Sequence, residues 1–313
     1  MKVLVTGGAG YVGSAVVPML QERGHEVVVL DDFSLSSPRN LAGSFGSSNG
    51  DTDGIEFVRG DIRDTEAVRR AVDGVDSIIH LAGITGASDT HEIRKKTIEV
   101  NHEGVEKVLD ESESEDVERF VLASSCNVYG GSYSDDLTED DDPDPMNPYS
   151  EAKLMAEERC KESEVETVSL RLATNYGWSP GVRFNLVVNS FVFRALADET
   201  LTVYGDGSNW RPFIHVKDAA RAFVEALSWD EGVYNTGGEN YTIDGIAETV
   251  SEVVGTDVKT EYLRDENPGP SYHVSFDKVS DQGFSLEHSL REGVRDLRDR
   301  FLADRAKTKE KQI

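Results

Sequence analysis

Short runs of β-branched and aliphatic residues alternate with amphipathic stretches through the first half of the chain. That order predicts parallel strands joined by helical crossovers, with helices on both faces of one sheet. Strands are expected at Lys2–Thr6, Glu26–Leu30, Ile55–Arg59, Ser77–Leu81, Arg119–Ala123 and Thr167–Leu172. Helical periodicity between them predicts helices at Tyr11–Arg23, Thr65–Val72, Glu92–Ser112 and Pro148–Lys161, with Gly24 placed to end the first. Two stretches break the rhythm. Ser34–Gly54, rich in Gly, Ser, Asn and Asp, reads as a long surface loop. Thr138–Pro148, with Asp140, Asp141, Asp142 and three prolines, reads as a second loop that leads into Tyr149. After Gly177 short apolar runs (Leu201–Tyr204, Phe213–Val216, Val233–Thr236) mix with helical patterns (Leu186–Ala197, Val216–Leu227, Ile243–Val254, Leu290–Leu302). The tail Arg305–Ile313 is polar and is expected to fray.

Within this pattern the residues Val3-Leu-Val-Thr-Gly-Gly-Ala-Gly-Tyr-Val-Gly13 join the first strand to the first helix. Gly7, Gly10 and Gly13 give a turn whose bare backbone lets a pyrophosphate approach the helix amides and the positive end of the helix dipole. Asp31 ends the next strand, where an acid meets the adenosine ribose. The fold class expected is therefore α/β, a Rossmann-type doubly wound parallel sheet over residues 1–177. Residues 178–313 are expected to form mainly a smaller, interleaved C-terminal lobe, with segments near 205–236 returning to the sheet domain.

Composition changes this picture in one respect. The 313 residues are 38% hydrophobic, ample for a full core. Asp and Glu number 59 against 32 Lys and Arg, a net charge of −27. Nucleic acid and anionic membrane are poor partners for such a surface. Lys is scarcer than Arg and the acids are spread over nearly every helix and loop, the pattern expected of a halophile's protein. No segment is apolar for long enough to span a bilayer. The first strand begins at Lys2, which argues against a cleavable leader. Cys126 and Cys160 stand in unrelated contexts and fit a reducing cytoplasm.

The candidate chemistry lies at Tyr149-Ser-Glu-Ala-Lys153, a phenol and an ammonium four residues apart on one helix face. A fixed cation nearby favours the phenolate, so Tyr149 is a candidate acid/base for an alcohol that loses hydride to NAD. The pair follows Ser124-Ser-Cys-Asn-Val-Tyr-Gly130 at the carboxyl end of the fifth strand, the edge where wound sheets bind ligands. His80 and His215 have no metal-ligand spacing, and no metal site is expected. Trp210 suits either a stacking contact or core packing.

Together these motifs resemble the extended short-chain dehydrogenases/reductases, in the NAD-dependent epimerase/dehydratase group that acts on nucleotide sugars. The likeness runs through the glycine loop, Asp31, Asp61-Ile62, Leu81-Ala-Gly83, Asn101 with Gly104, Ser125, Tyr149 and Lys153. It continues through Arg171, Tyr176-Gly177, Val203-Tyr-Gly-Asp-Gly207, Arg211-Pro-Phe-Ile-His-Val216 and Tyr234-Asn-Thr-Gly237. The resemblance implies Tyr149 as acid/base, Lys153 as its electrostatic partner and a ribose ligand, and Ser125 as the hydroxyl that orients substrate. It implies a cofactor site of Gly7, Gly10, Tyr11, Val12, Gly13, Asp31, Asp32, Asp61, Ile62, Leu81, Ala82, Gly83 and Asn101 with Tyr149 and Lys153. Asp31 would repel a 2′-phosphate, which selects NAD over NADP. Substrate would be held by Ser125, Thr174, Asn185 and by Arg211 at its diphosphate. The family pairs two helices per subunit into a dimer bundle, here Glu92–Ser112 and Pro148–Lys161, so a homodimer is expected.

The chain departs from the family at informative places. Its dehydratases carry Asp-Glu directly after the catalytic hydroxyl, and its decarboxylases a Glu at the second position; here stand Cys126 and Asn127. The second phosphate-facing arginine is missing before Ser271-Tyr272, with Arg264 a few residues upstream. Thr174 replaces an asparagine that often meets the sugar. The leading expectation is a nucleotide-sugar 4-epimerase, most simply of a UDP-sugar, working through a transient 4-keto sugar. The alternatives are a net NAD-dependent dehydrogenase or reductase of a sugar or small hydroxy compound, and a non-catalytic NAD-binding protein.

Overall fold

The computed structural model describes residues 1–44, 55–86, 89–130, 136–255, 258–267 and 269–310. The main sheet is built from β1 (Lys2–Thr6), β2 (Glu26–Asp31), β3 (Glu56–Arg59), β4 (Ser77–His80), β5 (Arg119–Ser125), β6 (Glu166–Leu172) and, much later, β10 (Gly232–Thr236). All pairs are parallel, in the order β10-β6-β5-β4-β1-β2-β3. The winding reverses between β1 and β4, and a crevice opens at the carboxyl ends of such a pair.

Strand alternation sorts the core into two layers. Val3, Val5, Val29, Ile79 and Val121 face α1 (Gly13–Glu22) and α7 (Val216–Glu225), which bring Val16, Val17, Leu20, Ala219 and Phe223. Leu4, Val28, Leu30, Ile78 and Phe120 face α2 (Thr65–Val72), α4 (Gly104–Ser114) and α5 (Pro148–Lys161). Each inner strand is buried on both faces, which is why these segments read as continuous apolar runs. Gly24, with φ 78°, ends α1 in the left-handed region, and its amide caps the Gln21 carbonyl at 2.9 Å.

The helix expected as one piece over Glu92–Ser112 is three pieces: α3 (Arg94–Ile98), a π turn (Glu99–Glu103) and α4. The π turn spans only Glu99–Glu103, too short a stretch for side-chain periodicity to tell it from α-helix. β5 runs two residues beyond its expected end, to Ser125.

The second lobe contains β7 (Thr174–Tyr176), β8 (Leu201–Tyr204), β9 (Trp210–His215), β11 (Glu239–Thr242) and β12 (Thr260–Leu263). They form a three-stranded sheet β11-β9-β7 and a parallel pair β12-β8. α6 (Val187–Leu196), α8 (Ile243–Val254) and α10 (Leu290–Glu310) enclose its own apolar cluster, while the short α9 (Asp277–Asp281) packs beside β10. β7, β11 and β12 were not foreseen, because they are short and rich in polar residues. Within 205–236 the chain divides: β9 stays in the small sheet, whereas α7 packs on α1 and β10 pairs with β6. α10 continues to Glu310, through most of the tail expected to fray, and residues 311–313 lie outside the described part. In the expected loop Ser34–Gly54 a 3₁₀ turn, Pro38–Ser44, buries Leu41; residues 45–54 lie outside the description. No described helix is long and apolar enough to cross a membrane.

Candidate active site

Gly7 takes φ 68°, and a Cβ there would stand 2.8 Å from the Ala82 amide nitrogen. A Cβ on Gly13 would stand 2.4 Å from the Gly7 carbonyl oxygen. Both positions therefore require glycine for the turn to fold against the exit of β4. A Cβ on Gly10 would meet only the Gly7 carbonyl oxygen, at 3.1 Å, so this part of the turn is bare backbone facing a cavity. The turn is also tied across the cleft. The Tyr11 hydroxyl donates to the Gly177 carbonyl at 2.8 Å, and Ser179 Oγ donates to the Tyr11 carbonyl at 2.7 Å.

That cavity, about 1600 Å³, follows the carboxyl edge of the main sheet into the second lobe. Asp31, Asp32, Asp61 and Ile62 line one end, and Gly7, Gly10, Tyr11, Val12, Gly13, Leu81, Ala82 and Gly83 line the middle. Ser125, Tyr149, Lys153, Thr174, Asn185 and Arg211 line the rest. Asn101 is the exception among the expected residues. It sits in the π turn behind the wall, where its Oδ1 accepts from the Ile84 amide (2.7 Å) and its Nδ2 donates to the Ile84 carbonyl (2.8 Å). Its two polar ends are used to hold the loop after β4, so it shapes the cavity rather than facing it.

The acidic end is preorganised by local hydrogen bonds. Asp31 Oδ2 accepts from the Ala9 amide (3.0 Å), and Oδ1 accepts from the Phe33 amide (2.9 Å) and Ser36 Oγ (2.8 Å). Asp61 is gripped by the Arg63 fork, with Nη2 to Oδ2 at 2.6 Å, and that guanidinium holds its carboxyl below the usual range.

At the other end Ser125 closes β5 and Tyr149 opens α5. Asn147 caps this helix, its Oδ1 accepting from the Ser150 amide at 3.0 Å, and Pro148 starts it. The Ser125 hydroxyl stands close enough to the Tyr149 phenol to pull its pKa down, and it accepts from the Asn127 amide and side chain, both at 3.2 Å. Lys153 Nζ stands 5.9 Å from the Tyr149 ring centroid. In the chain without cofactor, burial works against the phenolate that a fixed cation favours. Burial pushes the phenol up, outweighing the downward pull of the Ser125 hydroxyl and the Arg183 charge. Burial also brings the Lys153 ammonium down to about 8, against an upward pull from Glu157. Without further positive charge, the phenol stays protonated at neutral pH.

Behind this face lies a buried ionic network that the sequence reading missed. Glu157, fully buried, accepts a two-toothed bond from Arg171, with Nη2 to Oε2 at 2.8 Å and Nε to Oε1 at 3.1 Å. It also accepts from Ser124 Oγ, and Arg171 Nη1 donates to the Tyr129 hydroxyl at 2.5 Å. The signal was present: Glu157 follows Lys153 by four residues, as Lys153 follows Tyr149, so all three share one helix face. Arg183 and Arg194 also line the second-lobe part of the cavity. The Arg183 guanidinium donates to Thr85 Oγ1, across the cleft, and to Asn185 Oδ1 at 3.3 Å.

Cys126 is 2% exposed, and its thiol donates to the Arg171 carbonyl at 3.0 Å; burial raises its pKa far above the ordinary thiol value. The His80 imidazole is fully buried, which lowers its pKa to about 3. Arg211 lies over the Tyr272 ring at 5.3 Å and donates to the Trp210 carbonyl at 2.8 Å. Trp210 packs on His273, 4.4 Å between ring centroids, and is not on the cavity wall; neither is Arg264. His215, Asp218 and His288 bring three ligand-type atoms within 4.8 Å. The two imidazoles, however, are stacked at 4.4 Å and 18°, so their in-plane lone pairs do not converge. Asp218 already accepts from the Glu287 and His288 amides, each at 3.1 Å, which ties the start of α10 to α7.

The bare turn and the ribose-end acids fit a dinucleotide. Comparison with known proteins points the same way. A family model described as the NAD dependent epimerase/dehydratase family matches residues 3–237. A low-salt glycan biosynthesis protein of Haloferax volcanii is 32% identical over 315 residues, 97% of this chain and 99% of that protein. The UDP-glucose 4-epimerase of Bacillus subtilis is 31% identical over 297 residues, covering 86% of each. The structure of UDP-glucose 4-epimerase from Thermotoga maritima with UDP-glucose superposes with a TM-score of 0.88 at 26% identity, over 97% of this chain and 99% of that one.

Proposed function

The chain belongs to the NAD dependent epimerase/dehydratase family, and on that footing we propose that it is a nucleotide-sugar 4-epimerase whose substrate is a UDP-sugar. The observation that carries this reading is the cluster of Ser125, Tyr149 and Lys153 on the cavity wall, followed by Cys126 and Asn127 where elimination chemistry needs carboxylates.

Gly7, Gly10–Gly13, Asp31, Asp32, Asp61, Ile62 and the Leu81–Gly83 loop hold the cofactor in this proposal, and Lys153 holds its inner ribose. NAD bound there supplies the hydride acceptor and donor and, when oxidised, a positive ring charge near the phenol. Ser125 orients the sugar C4 hydroxyl, and Tyr149 takes its proton as the C4 hydride leaves. Lys153 stabilises the phenolate that results. The keto sugar turns in the cavity, and Tyr149 returns the proton when hydride is delivered to the opposite face. Thr174 and Asn185 contact the sugar, and Arg211 the diphosphate, with Arg194 as the second guanidinium in place of the one missing near Ser271.

Water loss would require a carbon acid/base and a second acid for the leaving hydroxyl. The Asn127 amide offers neither, and the Cys126 thiol is spent on the Arg171 carbonyl. Inversion without dehydration is therefore expected from UDP-sugars in molar salt, read by NMR and product mass. A product lighter by one water overturns the reading, and net NADH accumulation favours a dehydrogenase.

The carboxylate of Asp31 sets the cofactor preference. NAD is expected to bind far better than NADP, and Asp31→Ala to narrow the gap. Equal wild-type affinities by calorimetry would reject the assignment.

We further propose a homodimer packed through α3–α4 and α5, where Ile93 and Met155 are exposed apolar residues, 41% and 37%. The working environment proposed is a salt-rich cytoplasm, supported by the −27 charge and two buried free thiols. Melting temperature should rise from about 0.1 M salt to molar salt, beyond the range where Debye screening saturates. A flat melting profile, or a monomer by light scattering at molar salt, removes the respective proposal.

A further inference from the structure

The buried ion pair lies directly behind the reacting groups. In the register of β5 and β6, Ser124 pairs with Arg171, so both side chains lie on one face of the sheet at the seam between the strands. Glu157 sits over that seam: its carboxylate accepts from Ser124 Oγ and from the Arg171 fork, with Nη2 to Oε2 at 2.8 Å. Arg171 also reaches past Ser125. Its Nη1 donates to the Tyr129 hydroxyl at 2.5 Å, and its backbone carbonyl accepts the Cys126 thiol at 3.0 Å. The chain is therefore held before Ser125, at Ser124, and after it, at Cys126 and Tyr129. The carboxylate of the pair belongs to α5, where Tyr149 and Lys153 precede it by eight and four residues on the same face.

Both charged groups are buried and neither lines the cavity, so the proposed reaction uses neither. Apolar contacts of Ala156 and Cys160 already hold α5 in the core with Phe120 and Leu122. A buried ion pair adds little stability over apolar side chains of the same volume, because desolvation offsets the attraction. What it adds is direction: a two-toothed, charge-assisted bond fixes angle and distance, whereas apolar surfaces slide. Direction matters here because Ser125 comes from β5 and Tyr149 from α5, and a displacement of about 1 Å between reacting groups costs about a hundredfold in rate. We infer that Glu157 and Arg171 are positioning residues, which set the Ser125 hydroxyl against the Tyr149 phenol and so act on the chemical step. The inference rests on the 4-epimerase reading and deepens it. Neither group exchanges a proton; the bonds made and broken remain those at C4.

The test uses the full chain, loaded with NAD, in molar salt, with UDP-glucose, UDP-N-acetylglucosamine and UDP-glucuronate followed by NMR. Ser124→Ala leaves the ion pair whole and cuts its tie to β5. On the sugar that the wild type turns over best, kcat is expected to fall at least about tenfold while KM moves less than about twofold. Glu157→Gln, which keeps the shape and removes the charge, should lower kcat likewise with KM again steady. In a Ser125→Ala background, Ser124→Ala should change kcat by less than about twofold, because Ser124 acts through Ser125. Thr167→Val removes a bond to the Cys160 carbonyl (3.2 Å) at the far end of α5. As the packing control it should leave kcat and KM within about twofold. An unchanged kcat in Ser124→Ala or Glu157→Gln, an additive loss in the Ser125→Ala background, or an equal loss in Thr167→Val overturns the positioning role and leaves the epimerase reading in place. No epimerisation of any of the three sugars by the wild type overturns both.

Discussion

Tyr149→Phe is expected to lower epimerase turnover by at least about a hundredfold while leaving the fold and NAD retention intact. The substitution removes one oxygen from a half-buried ring on the cavity wall. Asn127 still donates to the Ser125 hydroxyl from its amide and side chain, so that group keeps its place. What disappears is the only route proposed here for the C4 proton. The phenol also reports on its surroundings. Burial raises its pKa in the chain without cofactor, and Lys153 has itself been brought down to about 8. The phenolate should therefore appear at lower pH once NAD⁺ is bound, and ultraviolet titration of the two forms measures the difference. Near-full turnover in Tyr149→Phe, with bound NAD confirmed, would remove Tyr149 from the mechanism.

The second large effect is on stability. Glu157→Ala should cost about 3–5 kcal/mol, because it leaves the Arg171 guanidinium buried without its counter-ion. Arg171 is 3% exposed and Glu157 fully buried, so water cannot replace the lost carboxylate. Glu157→Gln keeps an oxygen for Ser124 and for one tooth of the fork, and should lose less. Denaturant unfolding in fixed molar salt measures both. An unchanged midpoint in Glu157→Ala would mean that the pair contributes nothing to the fold.

The parallel sheet was legible because each inner strand is buried on both faces, and such strands read as unbroken apolar runs. The glycine turn was legible because two of its glycines answer steric demands, at Gly7 and Gly13, that no other residue meets. Asn101 shows the limit of motif reading: its position in the chain was sound, but its hydrogen bonds turn inward to Ile84. The π turn around it was invisible because five residues are too few for apolar spacing to distinguish it from α-helix. Glu157 and Arg171 join α5 to β6 through space, and nothing local in either segment announces the partner. Arg183 was passed over for a similar reason. One of its partners, Thr85, lies 98 residues earlier and across the cleft.

The path of the chain between the lobes also constrains how such enzymes can be recombined. A break after Gly177 would look natural on a sequence map. It would strip β10 from β6 and α7 from α1, exposing a sheet edge and an apolar helix face in the front fragment. It would also cut the Tyr11 and Ser179 bonds that hold the phosphate turn to its far wall. The front half is therefore no transplantable cassette. A chimera that borrows another sugar pocket must keep the parental 216–236 segment with the first 177 residues, which takes three crossovers rather than one. Altered sugar selectivity is then reached more readily by replacing loops on the cavity wall than by exchanging lobes.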